Sequence, residues 1–130
     1  MKPNGNPRPW IRKAEQDYEA ASILIKKRTR PLRDVVCFHA QQCAEKYLKA
    51  FLVRHRILFP KTHDLIALLD LAAPQEPTLE LLKPWLSVLK PYAVEFRYPG
   101  EHATVAEARR AMTSATHIRE RLRHLLRCQP

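Results

Sequence analysis

Eleven prolines divide this 130-residue chain, and the long stretches between them decide where regular structure can form. Proline lacks the backbone N–H that the interior of a helix or sheet needs, so each proline marks a helix start, a kink or a turn. Apolar residues recur at helical spacing between the prolines, and no alternating strand pattern competes with them. The sequence therefore predicts an all-α fold, with a flexible segment over residues 1–9 and a single domain over residues 10–130.

Five helices are predicted, packed as an antiparallel bundle. They are expected to cover about residues 9–28, 32–57, 62–74, 78–90 and 104–125. Thr62 is expected to cap the third helix, and Pro84 either kinks the fourth helix or begins a second short one there. Thr104 and Glu107 form a T-x-x-E capping box, which opens the last helix.

The chain carries a large excess of positive charge: 23 Lys and Arg against 13 Asp and Glu give +10 with neutral His. An excess of this size on one small domain favours polyanionic partners, nucleic acid before a membrane surface, through counterion release and long-range steering. Only two glycines are present, Gly5 and Gly100, so neither a glycine-rich phosphate loop nor a dinucleotide fingerprint can form. Any bound phosphate must therefore be held by side chains.

The cysteines and the apolar runs predict a cytoplasmic protein without a membrane span. Three cysteines with no C-x-x-C spacing indicate reduced thiols, and no apolar run reaches the ~18 residues that a membrane span needs. No signal-peptide pattern is found. His39 and Cys43 are four residues apart on the second helix, but no further ligand set accompanies them, so we interpret both as structural. No metal and no cofactor is expected.

The segment before the last helix combines residues that suit phosphodiester chemistry. It reads Arg97-Tyr98-Pro99-Gly100-Glu101-His102. A Pro-Gly turn can bring the Arg97 guanidinium and the His102 imidazole to one patch, beside a helix N-terminus that attracts anions. His102 could take a proton from a ribose 2′-OH or give one to a leaving 5′-oxygen, while Arg97 holds a phosphate oxygen. From the residues alone, a solvated turn is the commoner explanation of such a pair.

Five further residues are weaker candidates. Tyr98 could stack on a base and Glu101 could orient the imidazole, although both also fit an ordinary turn. Arg109 and Arg110 lie on the last helix, whose clustered arginines form either a solvated surface or a contact with an RNA backbone. Lys46, on the second helix, is a candidate for RNA binding as well.

Three segments taken together resemble the HEPN domain family, in its small HepT-like toxin branch. They are the R-x4-H motif, Phe38-His39-Ala40-Gln41-Gln42-Cys43-Ala44-Glu45-Lys46 and Lys61-Thr62-His63-Asp64-Leu65. The resemblance covers about residues 10–127. It implies an all-α domain that forms a homodimer through its motif-bearing face, so that two copies of Arg97 and His102 line one cleft.

The resemblance also implies an activity and a partner. Similar proteins are endoribonucleases that need no metal and use 2′-OH attack to leave a cyclic phosphate. Many are toxins neutralised by a small nucleotidyltransferase. That branch often continues H-x-Y, whereas Thr104 stands at the place of the tyrosine here, so neutralisation through that tyrosine is not implied. The R-Y-P form resembles a second branch that often lacks the histidine, which His102 supplies in this chain.

The second helix offers further side chains to a partner. Gln41, Gln42 and Lys46 could face the other protomer of such a dimer. Glu45 and Lys49 are expected to form an i,i+4 ion pair on the solvent side of the helix. A helix with this arrangement has one buried face and one exposed face.

Functions from different classes remain open on the sequence. The leading hypothesis is a homodimeric toxin ribonuclease in which Arg97 stabilises the phosphate and His102 transfers protons. The alternative is a non-catalytic HEPN module that binds a nucleotide or a nucleotidyltransferase. A third, weaker hypothesis is non-specific nucleic-acid binding through the surplus charge.

Overall fold

The computed structural model describes residues 5–27, 31–94 and 98–128. Within these ranges the chain is helical and contains no strand, so the all-α prediction is confirmed. The five α-helices are α1 (Arg8–Leu24), α2 (Arg33–Arg54), α3 (Leu65–Ala72), α4 (Lys83–Leu89) and α5 (Val105–Leu125). Two 3-10 segments, Pro77–Leu82 and Lys90–Tyr92, flank α4. None of the described helices is long and apolar enough to cross a bilayer.

The second helix is the centre of the bundle. It packs against α1, α3 and α5, and 14 of its 22 residues are buried, so water reaches little of its surface. This corrects the expectation of a helix with one exposed face. Glu45 and Lys49 do form the i,i+4 ion pair, at 3.0 Å, but both side chains are buried. The rings of Trp10 and Phe59, centred 5.6 Å and 5.9 Å from the Lys49 ammonium, cover the face assigned to solvent.

The third helix is capped by Asp64 and not by Thr62. The Asp64 carboxylate accepts hydrogen bonds from the backbone N–H groups of Ile66 and Ala67, at 3.0 Å and 3.2 Å. The Thr62 hydroxyl instead accepts one from the Asp64 amide, at 3.1 Å. Both residue types are good caps, and the carboxylate adds a favourable charge at the positive end of the helix dipole, which explains the later start.

Three other helix ends bear on the predictions. α1 ends at Leu24, before the expected end near residue 28, which lies outside the described residues. Pro84 lies in the first turn of α4, so the chain forms a second short helix there and not a kinked one. The capping box of Thr104 and Glu107 is confirmed, with hydrogen bonds of 3.0 Å and 2.9 Å in its two directions.

The bundle has two distinct ends, because α1 runs antiparallel to α2 and α5. At the end that we call the motif end, the C-terminus of α1 meets the N-termini of α2 and α5. Residues that line a common cavity there include Lys27, Arg33 and Val105. At the opposite end, the arginine end, residues that line a common cavity include Arg8, Arg54 and Arg127. The 17 residues of α1, at 1.5 Å each, separate the two ends by about 25 Å.

Candidate active site at the start of the last helix

A tight turn over residues 98–101 leads towards α5 and exposes predicted site residues to solvent. The Glu101 amide donates a 2.9 Å hydrogen bond to the Tyr98 carbonyl, across Pro99 and Gly100. Gly100 has a φ of +90°, the left-handed value that a type II Pro-Gly turn needs at this position. The side chains of Tyr98 and Glu101 are both exposed. Glycine therefore shapes this segment without itself holding a ligand.

Side chains in the first turn of α2 hold the backbone of Ala103, shortly after the Pro-Gly turn. The Asp34 carboxylate accepts a 2.6 Å hydrogen bond from the Ala103 amide, and the Arg33 guanidinium donates one of 3.4 Å to the Ala103 carbonyl. The other carboxylate oxygen of Asp34 lies 3.5 Å from Nδ1 of His102. Ala103 is buried, and Thr104 caps α5 directly after it. The N-termini of two helices therefore position the backbone that carries His102.

The contact with Asp34 suits an imidazole that transfers protons. The 3.5 Å separation is an ion-pair distance, and an Nδ1–H turned towards the carboxylate would leave Nε2 as the reactive nitrogen. The His102 side chain is 76% exposed, so a substrate can reach that nitrogen from solvent. Sequence reasoning missed Asp34, because only the fold brings α2 to this turn. The one available signal was its position as the acid in the first turn of α2.

A basic groove lies beside His102. Its larger cavity, of about 570 Å³, has an apolar floor and four cationic side chains, Lys26, Lys27, Arg33 and Arg109. No carboxylate from the described part of the chain lines this cavity. A second cavity, of about 400 Å³, contains Asp34 and His102 and shares Pro31, Leu32 and Arg33 with the first. His102 therefore opens onto a groove whose charge attracts phosphate.

The other predicted site residues lie in different surroundings. Arg109 lines the groove, whereas Arg110 is exposed on α5 and does not line it. Lys46 is ion-paired with Asp17 at 2.5 Å and is only 21% exposed, and its role in RNA binding stays a prediction. Arg97 lies outside the described residues, so the meeting of its guanidinium with His102 stays a prediction too.

The predicted partner-facing segment of α2 contributes to a buried polar network. The Gln41 amide donates hydrogen bonds to Glu45 and to the His63 carbonyl, at 3.3 Å and 3.2 Å. His63 Nδ1 lies 2.8 Å from Glu45, and Gln42 donates a 2.7 Å hydrogen bond to Gln41. The expectation that Gln41 faces another protomer is therefore wrong, because the segment before α3 covers it and leaves it fully buried.

His39 and Cys43 have structural surroundings. His39 Nδ1 lies 2.8 Å from Asp17, the same carboxylate that pairs with Lys46. Burial raises the pKa of the Cys43 thiol, which therefore stays protonated inside the core. In residues 5–27, 31–94 and 98–128, no three His, Cys, Asp or Glu side chains come together as metal ligands would.

The arginines of α5 do not share one surface. Arg119 donates two hydrogen bonds of 2.7 Å to Glu15, and this pairing holds the pKa of the Glu15 carboxyl below its ordinary value. Arg109 lies at the motif end, and Arg123 lies at the arginine end together with Arg127, which follows the end of α5. Whether these arginines face solvent or contact RNA is therefore a separate question at each end of the bundle.

Comparisons with known proteins found one matching family and a matching relative. The model of the HEPN domain family matches residues 8–125, from α1 to the end of α5. Over 50 residues the chain is 44% identical to a Methanocaldococcus jannaschii protein named "Putative toxin MJ1304". That match covers 38% of this chain and only 31% of the relative's length. No solved structure shows significant similarity to the chain. Because the family match spans nearly the whole chain, the chain belongs to the HEPN domain family.

Proposed function

We propose that this chain is an endoribonuclease that acts as the toxin of a toxin-antitoxin pair. The observation that carries the proposal is the His102–Asp34 pair, exposed beside a groove with four cationic side chains. Membership of the HEPN family supports this type of chemistry. The similarity to a protein named as a toxin, although it covers 50 residues, supports the biological role.

The proposed reaction uses side chains alone. Nε2 of His102 accepts the proton of a ribose 2′-OH, and the 2′-oxygen attacks the adjacent phosphorus. The bond between phosphorus and the 5′-oxygen breaks, and that oxygen takes a proton from an imidazolium. The products are a 2′,3′-cyclic phosphate and a 5′-hydroxyl. Arg97 donates hydrogen bonds to the non-bridging oxygens, on which negative charge increases in the transition state.

The groove supplies the binding energy for the substrate. Lys26, Lys27 and Arg109 hold the phosphates that flank the scissile bond, and Arg33 joins the groove to the cavity that contains His102. Contacts of this kind position an RNA without selecting its sequence. The affinity for RNA is therefore expected to fall steeply with salt, by a slope of about 0.7 per phosphate contacted on a single strand.

A homodimer completes the proposed site. One imidazole cannot act as base and acid in the same concerted step, whereas His102 and His102 of the partner subunit can divide the two roles. The His102 side chain is exposed at one end of the bundle, where a second copy can approach it. Sedimentation at micromolar protein concentration is expected to show a dimer. A monomer under those conditions would remove the shared cleft from the proposal.

RNA cleavage in the presence of EDTA tests the activity. The wild-type protein is expected to cut single-stranded RNA, and His102→Ala and Arg97→Ala each lower the rate by about 100-fold or more. The circular dichroism spectra and thermal unfolding curves of both variants should match those of the wild type. His124→Ala is the matched control, because His124, on α5, is an exposed histidine like His102 but lines neither cavity at the motif end. It should keep full activity.

Other outcomes identify the alternative functions. If the wild-type protein cuts none of a varied set of RNAs but binds a nucleotide or a nucleotidyltransferase tightly, the chain is a non-catalytic HEPN module. If RNA binding depends steeply on salt and is unchanged by Arg97→Ala, the charge alone explains binding. Growth arrest on expression, relieved by a co-expressed small nucleotidyltransferase from the neighbouring reading frame, tests the toxin role and its partner.

A further inference from the structure

A cavity with five arginines lies at the arginine end of the bundle, away from His102. Its volume is about 600 Å³, and its lining combines five arginines with apolar residues that include Pro7, Ile11 and Leu126. The arginines are Arg8, Arg12, Arg54, Arg123 and Arg127. No Asp or Glu of the described residues lines the cavity. The chemistry proposed above makes no use of this concentration of charge.

Four of these arginines have no carboxylate within ion-pair distance in the part of the chain that the structure describes. They are Arg8, Arg12, Arg54 and Arg127. Arg123 differs, since its guanidinium lies 3.5 Å from Glu15. Like charges gathered around one concave surface repel each other, and a bound anion relieves that repulsion.

The start of α1 adds to the positive potential of this cavity. The helix begins at Arg8 with no acidic residue in its first turn and no side-chain cap from Pro7, and the side-chain oxygen of Asn6 accepts a 3.1 Å hydrogen bond from the Arg8 amide. Arg8 and Arg12 therefore place positive charge at the positive end of the helix dipole, the reverse of the stabilising arrangement. Arg54, in the last turn of α2, has the favourable orientation. An anion in the cavity would interact favourably with the dipole of α1 and with its two arginines together.

Arg127 lies at a helix end where glycine is usual. Its φ is +56°, and the Cys128 amide donates a 2.8 Å hydrogen bond to the Arg123 carbonyl, which closes a Schellman motif after α5. The left-handed conformation is unfavourable for a residue with a Cβ. An arginine at this position therefore lowers stability relative to glycine, and it is one of the five arginines that line the cavity.

Phosphate groups fit this cavity better than the carboxylates of a protein partner. A guanidinium forms paired hydrogen bonds with phosphate oxygens, and five arginines line this one cavity, although the Arg123 guanidinium is already bound to Tyr47 and Glu15. Successive phosphates of a nucleic acid bring several full charges into such a volume. An acidic protein surface distributes its carboxylates over a wider and flatter area.

We propose that the arginine cavity binds backbone phosphates of the RNA substrate, several nucleotides away from the bond that is cut. The identity of this ligand rests on the ribonuclease function proposed above. The two ends of the bundle are about 25 Å apart, a distance that a stacked strand crosses in about seven nucleotides at 3.4 Å each. RNAs longer than this contact both ends, so they bind more tightly and have a lower KM than short RNAs.

RNA binding can be measured without cleavage, so the test does not depend on catalysis. The probe is a 2′-O-methyl RNA of about 20 nucleotides, which exceeds the seven needed to reach both ends and has no free 2′-OH. The variants are Arg8→Gln/Arg12→Gln and, separately, Arg127→Gly, which removes a guanidinium while relieving the positive φ. The control is Lys61→Gln/Lys83→Gln, with the same loss of charge at two exposed residues that line neither basic cavity.

The expected result is a loss of affinity together with a smaller salt slope. Removing two phosphate contacts lowers the slope of log affinity against log salt concentration by about 1.4. For each tenfold dilution of salt, the variant therefore gains about 25-fold less affinity than the wild type does. Arg127→Gly should lower the slope by about half as much, and the control should change neither quantity beyond its effect on net charge. In a cleavage assay, the double variant should raise KM for the long RNA and leave a six-nucleotide RNA unaffected.

Three outcomes would overturn the proposal. One is a double variant that binds the long RNA no more weakly than the lysine control does. Another is tight binding of inorganic tripolyphosphate to this cavity with no competition from RNA, which would identify a free phosphate ligand. A third is a loss of affinity for an acidic protein partner and not for RNA. An inactive wild-type protein whose RNA affinity still falls in the double variant would contradict the ribonuclease function alone.

Discussion

Asp34 and His102, 68 residues apart in the sequence, lie with a carboxylate oxygen 3.5 Å from Nδ1 of the imidazole. The second oxygen of the same carboxylate accepts a 2.6 Å hydrogen bond from the Ala103 amide. One side chain from the start of α2 therefore binds the backbone of the segment that leads into α5 and lies within ion-pair distance of the ring. This arrangement makes Asp34 a positioning residue for the proposed reaction.

Asp34→Asn is expected to lower kcat by about ten- to hundredfold and to leave KM for RNA nearly unchanged. The amide can still accept a hydrogen bond from Ala103, but it no longer favours one orientation of the imidazole, and small misplacements of a catalytic group are costly. Steady-state kinetics on a defined RNA measures the split between kcat and KM. Asp70→Asn, the same chemical change at an exposed residue of α3, is the control. Equal kcat values for the two variants would exclude the positioning role.

Glu45→Ala is expected to destabilise the protein by about 3 kcal/mol, because it leaves the Lys49 ammonium unpaired in the core. Glu45 is 3% exposed and Lys49 is 6% exposed, so water cannot replace the lost carboxylate. Urea unfolding measures the change. Glu80→Ala, which removes an exposed carboxylate, should cost less than about 0.5 kcal/mol. A similar, small effect for both variants would mean that the buried pair contributes little.

Stability is expected to fall on acidification, in part through Glu15. Arg119, followed by the Tyr47 hydroxyl, donates hydrogen bonds that hold the pKa of Glu15 below its ordinary value of 4.5. A carboxyl whose pKa is lower in the folded state than in the unfolded state stabilises the fold above the unfolded value. That contribution is lost as the pH falls through the lowered pKa. The free energy of unfolding should therefore decrease between about pH 5 and pH 3 more steeply in the wild type than in Glu15→Gln.

The control for this pH dependence is Glu19→Gln, on the same helix but at an exposed position. Its pH profile should follow that of the wild type. If Glu15→Gln also follows the wild-type profile, pairing with Arg119 does not make the pKa of Glu15 differ between the folded and unfolded states. The measurement needs unfolding curves at several pH values, each fitted with the same denaturant slope.

Local signals in the sequence were enough to predict several features of the fold. Thr104 and Glu107 cap α5 as their spacing indicates, because a capping box depends only on residues within one turn. The predicted N-cap of α3 was two residues too early. Thr62 and Asp64 are both good caps, and the backbone conformation, which the sequence does not show, selects Asp64. The exposure predicted for Glu45 and Lys49 was wrong because α2 has neighbours on several sides, which its own sequence does not reveal.

The candidate site was predictable only in part. Histidine is the side chain best suited to proton transfer near neutral pH, so the sequence alone could suggest His102. Asp34 could not be assigned, because an acid in the first turn of a helix usually has only a capping or dipole role. The arginines of α5 gave a similar difficulty: their spacing along one helix does not show that Arg109 and Arg123 belong to cavities at opposite ends.

The chemical ends of the RNA products test the central claim most directly. An end-labelled RNA is incubated with the wild-type protein in EDTA, and the fragments are analysed by mass spectrometry. The account predicts fragments with a 2′,3′-cyclic phosphate and a 5′-hydroxyl, none of them formed by His102→Ala or from an RNA with a 2′-deoxy ribose at the cut nucleotide. Uncut RNA, or fragments with a 3′-hydroxyl and a 5′-phosphate, would contradict it.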